Sequence, residues 1–358
     1  MHLPLSTANG NAVVIPPPCN MGWINRETPG QQETTKIRFS PQWGAVAMSR
    51  QGDFLRSTDD GVSWLEETGS GGASDLMGLE FSPELNLFVA GAEGPTALVL
   101  TSSGGGPWTP TNTPLRASAI LWIPAPVSVF VAVCRQSCPL EQAAMTSLDG
   151  VSWQLQSTPS TGGTTLQWRG LAYSPSLQRV VAVSTDAHLS QGVMISDDYG
   201  ESWELQSSPT GGWVDVQWAE ELHRFVAVSL TGNHTMDSAD GIHWHLRSNP
   251  TRVAHSLVWS PEVMLMVAPI FSSSSGTHIA THSRDGKQWR ALRENPTAPS
   301  WRQFTSIQYV GGSAGRFLAA GTNSPPFAVM TYDSKCFPLQ GSPAFPVGLE
   351  LDLICMWH

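Results

Sequence analysis

One turn is written six times along the chain. The copies are "STDDGVSW" (57–64), "TSSGGGPW" (101–108), "TSLDGVSW" (146–153), "SDDYGESW" (196–203), "DSADGIHW" (237–244) and "HSRDGKQW" (282–289). Each ends on a tryptophan: Trp64, Trp108, Trp153, Trp203, Trp244 and Trp289. The spacings are 44, 45, 50, 41 and 45 residues. Self-similarity at this period points to a propeller or a solenoid, because one such unit cannot bury its own apolar face and must stack on a neighbour.

Two further columns separate these options. An aromatic residue stands two positions after an aliphatic one, at Phe39, Phe81, Trp122, Tyr173, Trp218, Trp259 and Tyr309. Eight to ten residues later an alanine sits inside an apolar run, at Ala47, Ala90, Ala132, Ala182, Ala227, Ala268 and Ala319. The runs are short, rich in β-branched residues and bounded by Gly, Pro, Ser or Asn, which reads as strands. No stretch sustains a 3.6-residue apolar period. Each unit then holds four strands, the last starting at the tryptophan, and four strands repeated radially make a propeller blade. A small side chain suits the crowding near the axis.

Seven alanines against six tryptophan turns leave one strand missing. The N-terminal segment "CNMGWINRETPG" (19–30) resembles "DGVSWLEETGSG" (60–71). Trp23 would supply the seventh tryptophan, and its strand would close the last blade. The expected fold is therefore all-β: a single seven-bladed β-propeller of four-stranded blades over 19–340, with an N-terminal extension (1–18) and a C-terminal tail (341–358). Closure removes open sheet edges. It would also bring Cys19 and Cys336 to the same broken turn, within reach of a disulfide.

Composition narrows the partners. Charged residues are 13% of the chain, and the net charge is −10; about 25% charged is ordinary. Lysine occurs only at Lys36, Lys287 and Lys335. Nucleic acid is not expected as a partner, since phosphate binding draws on a basic stripe. No apolar run approaches the roughly 18 residues of a membrane span, so membrane insertion is not expected. The start, "MHLPLSTANGNAVVIPPPCN", lacks the basic and apolar regions of a signal peptide. The compartment is cytoplasmic if residue 1 is the native start and extracellular if the chain is a processed form. Five cysteines are too few and scattered for a disulfide scaffold.

The S-x-D-x-G-x-x-W pattern resembles the Asp-box of the bacterial neuraminidase (BNR) repeat family, over roughly residues 20–336. Ser57/Asp59/Gly61/Trp64 and Ser196/Asp198/Gly200/Trp203 carry it in full. Three copies place the acid beside the glycine, as Asp149-Gly150, Asp240-Gly241 and Asp285-Gly286, and the copy ending at Trp108 has Ser103 in place of the acid. In the turn, Asp accepts backbone N–H bonds and glycine takes a positive φ. Asp59, Asp149, Asp198, Asp240 and Asp285 are accordingly read as architecture. The resemblance implies that these turns lie on the face opposite any substrate.

The same resemblance makes sialidase-type glycoside hydrolysis the enzyme alternative. It implies three arginines clamping a carboxylate, with a tyrosine nucleophile. Arg116, Arg135, Arg169, Arg252 and Arg302 fall on the face of the blade-linking loops. The tyrosines argue against catalysis: Tyr173 and Tyr309 belong to the aromatic column, Tyr199 to an Asp-box and Tyr332 to the matching turn of the last unit.

Six of ten histidines lie between 234 and 282: His234, His243, His245, His255, His278 and His282. His243 and His245 share a strand face, but no further ligand accompanies them, and no metal or cofactor is expected. Cys134 and Cys138 ("CRQSC") bracket one loop and could form a local disulfide. The candidate binding residues are Trp168 and Trp213, which share a repeat position, with Trp301, Arg169 and Arg302. Indole faces there could stack on a sugar or a proline; the other reading is that they cap the blade core. The expected function is a monomeric, non-enzymatic binding or scaffold propeller that recognises a protein or glycan through its blade-linking face.

Overall fold

All seven column alanines are completely buried, and each lies on the second strand of a four-stranded antiparallel sheet. In the computed structural model, Ala47 pairs with Ile37 on one side and Leu55 on the other. Ala132 likewise sits between Ile120 and Met145, and Ala182 between Leu171 and Met194. A methyl group flanked by two long aliphatics leaves room for the adjoining sheet, so the small residue sets how closely blades stack. The structure describes residues 24–333 except 27, 30–33, 68, 70, 161, 164, 187, 189, 252–253, 271–277, 294–302, 312–314 and 323–328. Trp23, Cys19, Cys336 and the 341–358 tail lie outside the described residues.

Six sheets are self-contained, each made of four consecutive strands: blades 1 to 6, spanning 34–67, 76–112, 119–156, 168–206, 213–248 and 258–293. The seventh sheet is drawn from both ends of the chain. Gln303–Val310, Arg316–Thr322 and Val329–Asp333 form three strands, and Ile24–Arg26 adds the fourth, antiparallel to the last. In register, Ile24 faces Thr331 and Arg26 faces Val329. The Arg26 Nε also donates to Thr331 Oγ1 at 3.0 Å.

The core is divided into clusters that each lie between two neighbouring sheets. Ile37, Ala47 and Trp64 of blade 1 pack on Val310, Leu318 and Ala320 of the composite sheet. Val46, Met48 and Phe54 pack on Leu79, Phe88 and Trp108 of blade 2, with the Phe54 and Trp108 rings stacked at 3.8 Å. The first strands of successive blades touch one another and close a ring around the axis.

Polar side chains bolt this ring. Ile37 N–H donates to Ser306 Oγ (3.3 Å), Thr35 Oγ1 to Leu76 O (3.0 Å), and Ser118 Oγ to Trp168 O (2.8 Å). Between blades 4 and 5 the approach is so close that a Cβ on Gly170 would lie 2.9 Å from Asp215 Cα. Among the described residues, no helix is long and apolar enough to cross a membrane.

Candidate functional site

Strand direction assigns the loops to two faces. The first strand runs from the blade-linking loops toward the far face, so the turn between third and fourth strands opens on that far face. The Asp-box turns all lie there.

Four of the five acidic turns are closed hydrogen-bond circuits; in the fifth, at Asp285, the Trp289 indole has no partner among the described residues. Ser57 Oγ donates to Asp59 Oδ1 (2.8 Å) and accepts from Gly61 N–H (2.8 Å). Asp59 Oδ1 also accepts from Ser63 N–H (2.8 Å), and Oδ2 from Ser63 Oγ (2.6 Å). The Trp64 indole donates to Gly61 O at 3.2 Å. The serine-to-acid part of this wiring recurs at Asp149, Asp198, Asp240 and Asp285. The box glycines take φ between 69° and 97°, open only to residues without a Cβ penalty.

The structure refines the motif. Serine keeps its place two residues before the acid in all five turns, and the spacing that varies is acid to glycine. The longer turns absorb one extra residue, Asp60 (φ 58°) or Tyr199 (φ 60°), in the left-handed region. Where the acid is missing, Ser102 Oγ is left without a partner among the described residues, and the Trp108 indole is unbonded there as Trp289 is in the Asp285 turn. Burial pushes the Asp149 carboxyl upward, but the bonds from Ser152, Val151 and Ser147 outweigh it and hold it at about 2. The same balance lowers Asp59, Asp198, Asp240 and Asp285. These carboxylates spend their bonds on their own turns.

At the opposite end the first strands begin with a β-bulge in several blades, between Thr34 and Lys36, Trp168 and Gly170, and Trp213 and Asp215. Bulges re-aim side chains, and this corrects the expectation for the two tryptophans. Trp168 and Trp213 are both 0% exposed. Trp168 packs in the cluster between blades 3 and 4, and Trp213 between blades 4 and 5. The Trp213 indole donates to Pro209 O at 3.0 Å and meets the His234 ring edge-on at 5.6 Å. Neither presents a face to a ligand; both cap the blade core. Trp301, Arg302 and Arg252 lie outside the described residues.

What the bulges bring to the channel instead is charge. Lys36 of blade 1 and Arg169 of blade 4 are half-buried and lie within electrostatic reach of each other. Among the described residues, neither has a hydrogen bond or ion pair. Burial first, then repulsion from Arg38 and Arg169 against the pull of Asp215, lowers the Lys36 ammonium. For Arg169, burial first and Arg135 second bring the guanidinium down to about 10. Beside them His255 is pushed to about 3 by burial and by both cations, so it is neutral.

The carboxylates nearby are already engaged. Asp215 accepts from Ser256 Oγ (3.0 Å), Leu257 N–H (2.8 Å) and Val216 N–H (3.0 Å). Glu93 is held by Arg135, whose Nε donates at 2.9 Å. Glu80 pairs with Arg38 at 3.3 Å, and Asp75 with Arg50 at 2.7 Å.

Arg135 lies inside the ring closed by the Cys134–Cys138 disulfide, whose Cα atoms are 5.9 Å apart. The nearby Arg116 donates to Pro95 O at 3.2 Å. His243 is bound to the box acid Asp240 at 2.7 Å on the far face. Among the described residues, no three His, Cys, Asp or Glu side chains converge as metal ligands would.

Lys36, Asp215 and His255 escaped sequence reasoning, although a signal existed. The residue before the first-strand aliphatic is Lys36, Gly78, Ala119, Gly170, Asp215, Ser256 or Ser306. One lysine and one aspartate in a column of small residues mark the channel rim.

No protein-family model matches the chain, and no curated protein matches its sequence. Solved structures do match in shape. A YCF48 structure bound to a D1 peptide is 16% identical, with 90% of this chain and 97% of that one covered and a TM-score of 0.63. Virginiamycin B lyase from Staphylococcus aureus is 11% identical, with 86% and 97% covered and a TM-score of 0.67. For the GH74 xyloglucanase from Xanthomonas campestris the values are 14%, 88% and 54%, with a TM-score of 0.68. At these identities the likeness is one of fold: the chain is similar in shape to a peptide-bound propeller, a lyase and a xyloglucanase.

Proposed function

We propose that the chain is a non-enzymatic binding propeller that takes a protein partner, through an extended peptide segment, at the blade-linking mouth of its channel. The observation that carries this reading is the contrast in satisfaction of charge. The box acids of the far face spend their bonds on their own turns, while the mouth keeps two half-buried cations, Lys36 and Arg169, without partners among the described residues. Unpaired buried charge is costly and marks functional sites more often than structural ones. The similarly shaped YCF48 propeller, bound to a D1 peptide, supports the choice of ligand class.

Sialidase-type catalysis gains no support from the described tyrosines. Tyr173 and Tyr199 pack against each other at 6.3 Å, and Tyr309 is buried and bonded to Glu262. The BNR-repeat resemblance remains a proposal about ancestry, carried by the five Ser-x-Asp turns.

A displayed random-peptide library tests the reading. Peptides enriched on the protein are expected to lose binding to Arg169→Glu and to keep it with Leu148→Asp, which alters the 71% exposed tip of an Asp-box turn. Equal retention by both variants, or loss only with Leu148→Asp, would overturn the assignment. A glycan array run beside it separates the glycan alternative.

A further inference from the structure

We propose that Asn233 is an N-glycan acceptor, and that its glycan stands on the blade-linking face, at the loop between the second and third strands of blade 5. The inference does not depend on the mouth as a binding site. It starts from three Asn-x-Thr triplets, at Asn233, Asn249 and Asn295. The second and third carry proline in the middle, Pro250 and Pro296, which closes the acceptor motif. Asn233-His234-Thr235 is the open one. Asn295 lies outside the described residues.

The structure separates the other two in the same sense. Asn249 is 8% exposed and engaged: its Oδ1 accepts from Thr251 N–H at 3.1 Å, and its Nδ2 donates to Thr281 Oγ1 of blade 6 at 3.4 Å. A glycan there would displace the contact between blades 5 and 6. Asn233 is exposed in the bend before the third strand, and its carboxamide has no hydrogen bond among the described residues. Its backbone carbonyl accepts from Asn249 N–H at 2.9 Å, so the loop is fixed while the side chain stays outside.

Thr235 supplies an independent observation. It is 0% exposed on the third strand, and its Oγ1 has no partner among the described residues. The equivalent positions of the other six sheets, one residue before the partner of the column alanine, are Phe54, Val99, Ala144, Val193, Ala280 and Val329, all apolar. A buried hydroxyl without a partner costs free energy and calls for a reason outside the fold. An acceptor triplet supplies one, because it requires a hydroxyl two residues after the asparagine. In the finished blade Thr235 is paired with Val228 and Arg247, so the transfer precedes blade closure. In that transfer Asn233 Nδ2 bonds to C1 of the first sugar of a lipid pyrophosphate-linked oligosaccharide. The C–O bond to the pyrophosphate breaks with its electron pair, and one amide proton passes to base. The Cys134–Cys138 disulfide agrees with an oxidising, secretory compartment.

The test is peptide mapping of the full-length protein purified from the cells that make it, before and after a peptide N-glycosidase, which turns a glycosylated asparagine into aspartate. After treatment, aspartate is expected at 233 and asparagine at 249, with a single gain in gel mobility. The full-length variants are expressed in the same cells. Asn233→Gln should abolish the mobility change, and Thr235→Ser should keep it. Thr235→Val should abolish it too, while its unfolding midpoint equals or exceeds that of the treated wild type. Unmodified Asn233 in the purified protein would overturn the proposal, as would a glycan that survives Thr235→Val. Should Thr235→Val fail to fold, the peptide map and Asn233→Gln, which alters an exposed loop residue, decide the assignment.

Discussion

Asp198 and Lys36 lie at opposite ends of the propeller axis, and their surroundings show what each end is for. Asp198 sits half-buried in its turn and accepts from Ser202 N–H at 2.8 Å, the Ser196 hydroxyl at 2.7 Å and the Ser202 hydroxyl. Both oxygens are used, and the serine-to-acid bond recurs in four other blades. Lys36 is half enclosed by the ring of first strands and bonded to nothing among the described residues. A charge whose bonds all go to its own turn is architecture. A desolvated charge without a partner has no such account, since folding pays its desolvation without an internal return. Both are half-buried, so exposure alone does not tell the two roles apart.

The largest effect that sharpens this contrast comes from Trp213. Its place in the repeat suggested the ligand face, yet its full burial puts it with the core. Trp213→Ala is expected to cost about 3–5 kcal/mol, the range for removing a buried aromatic. Chemical denaturation measures it, and peptide binding by the folded fraction should persist. A loss below about 1 kcal/mol together with lost binding would return Trp213 to the site.

Much of the architecture was readable in the sequence because propeller blades repeat their chemistry. Seven alanines, each 0% exposed, form a column that any alignment on the period shows. The surplus of one alanine over the tryptophan turns has its origin in the sheet that Ile24–Arg26 completes. The site was less readable, because a bulge of one residue decides which side chain enters the channel. Trp168 and Arg169 are adjacent, and the bulge between Trp168 and Gly170 sends the first into the core and leaves the second at the mouth. Repeat spacing fixed the column but not this local twist, so the aromatic residue drew attention away from the cation beside it.

Asp198→Ala comes next in size, at about 1.5–3 kcal/mol, the range for hydrogen bonds to a charged group. Binding at the mouth should be unchanged. The box acids also predict a pH dependence whose sign follows from their lowered values. A carboxyl lowered in the folded state stabilises above its unfolded value near 4 and loses that contribution as pH falls through the folded value, about 2 for Asp149. Stability should therefore drop between pH 4 and 2, less steeply in Asp149→Asn. His255 and His282, held near 3 and 4 by burial, add a gentler decline that starts near their ordinary 6.5. Denaturant midpoints from pH 8 to 2 check both. A flat profile in this range would contradict the circuits described for the turns.

The Cys134–Cys138 bridge belongs to the mouth and should matter moderately. Closing so short a loop is worth about 2 kcal/mol in the chain-entropy treatment. Cys138→Ala should lower stability by up to that amount. Because Arg135 is also anchored through Glu93, peptide affinity should fall by less than about threefold. A larger fall would mean that the loop itself contacts the ligand.

The smallest effect is the most diagnostic. Lys36→Met removes an unpartnered cation from an enclosed position and replaces it with a chain of similar length. Were Lys36 structural, like Asp198, the change would destabilise the fold. As a ligand group kept at a cost, it should leave stability unchanged or raise it by up to about 1 kcal/mol, as happens when buried charge gives way to apolar packing. The pH dependence sharpens the test. An ammonium lowered by burial binds fewer protons folded than unfolded between its two values, so wild-type stability should rise with pH in the interval just below 10.5. Lys36→Met should lack this rise. Thermal and denaturant unfolding of the two proteins at pH 7 and pH 10 would measure it. A destabilisation above about 1 kcal/mol at pH 7 would place Lys36 among the bolts of the ring rather than in its site.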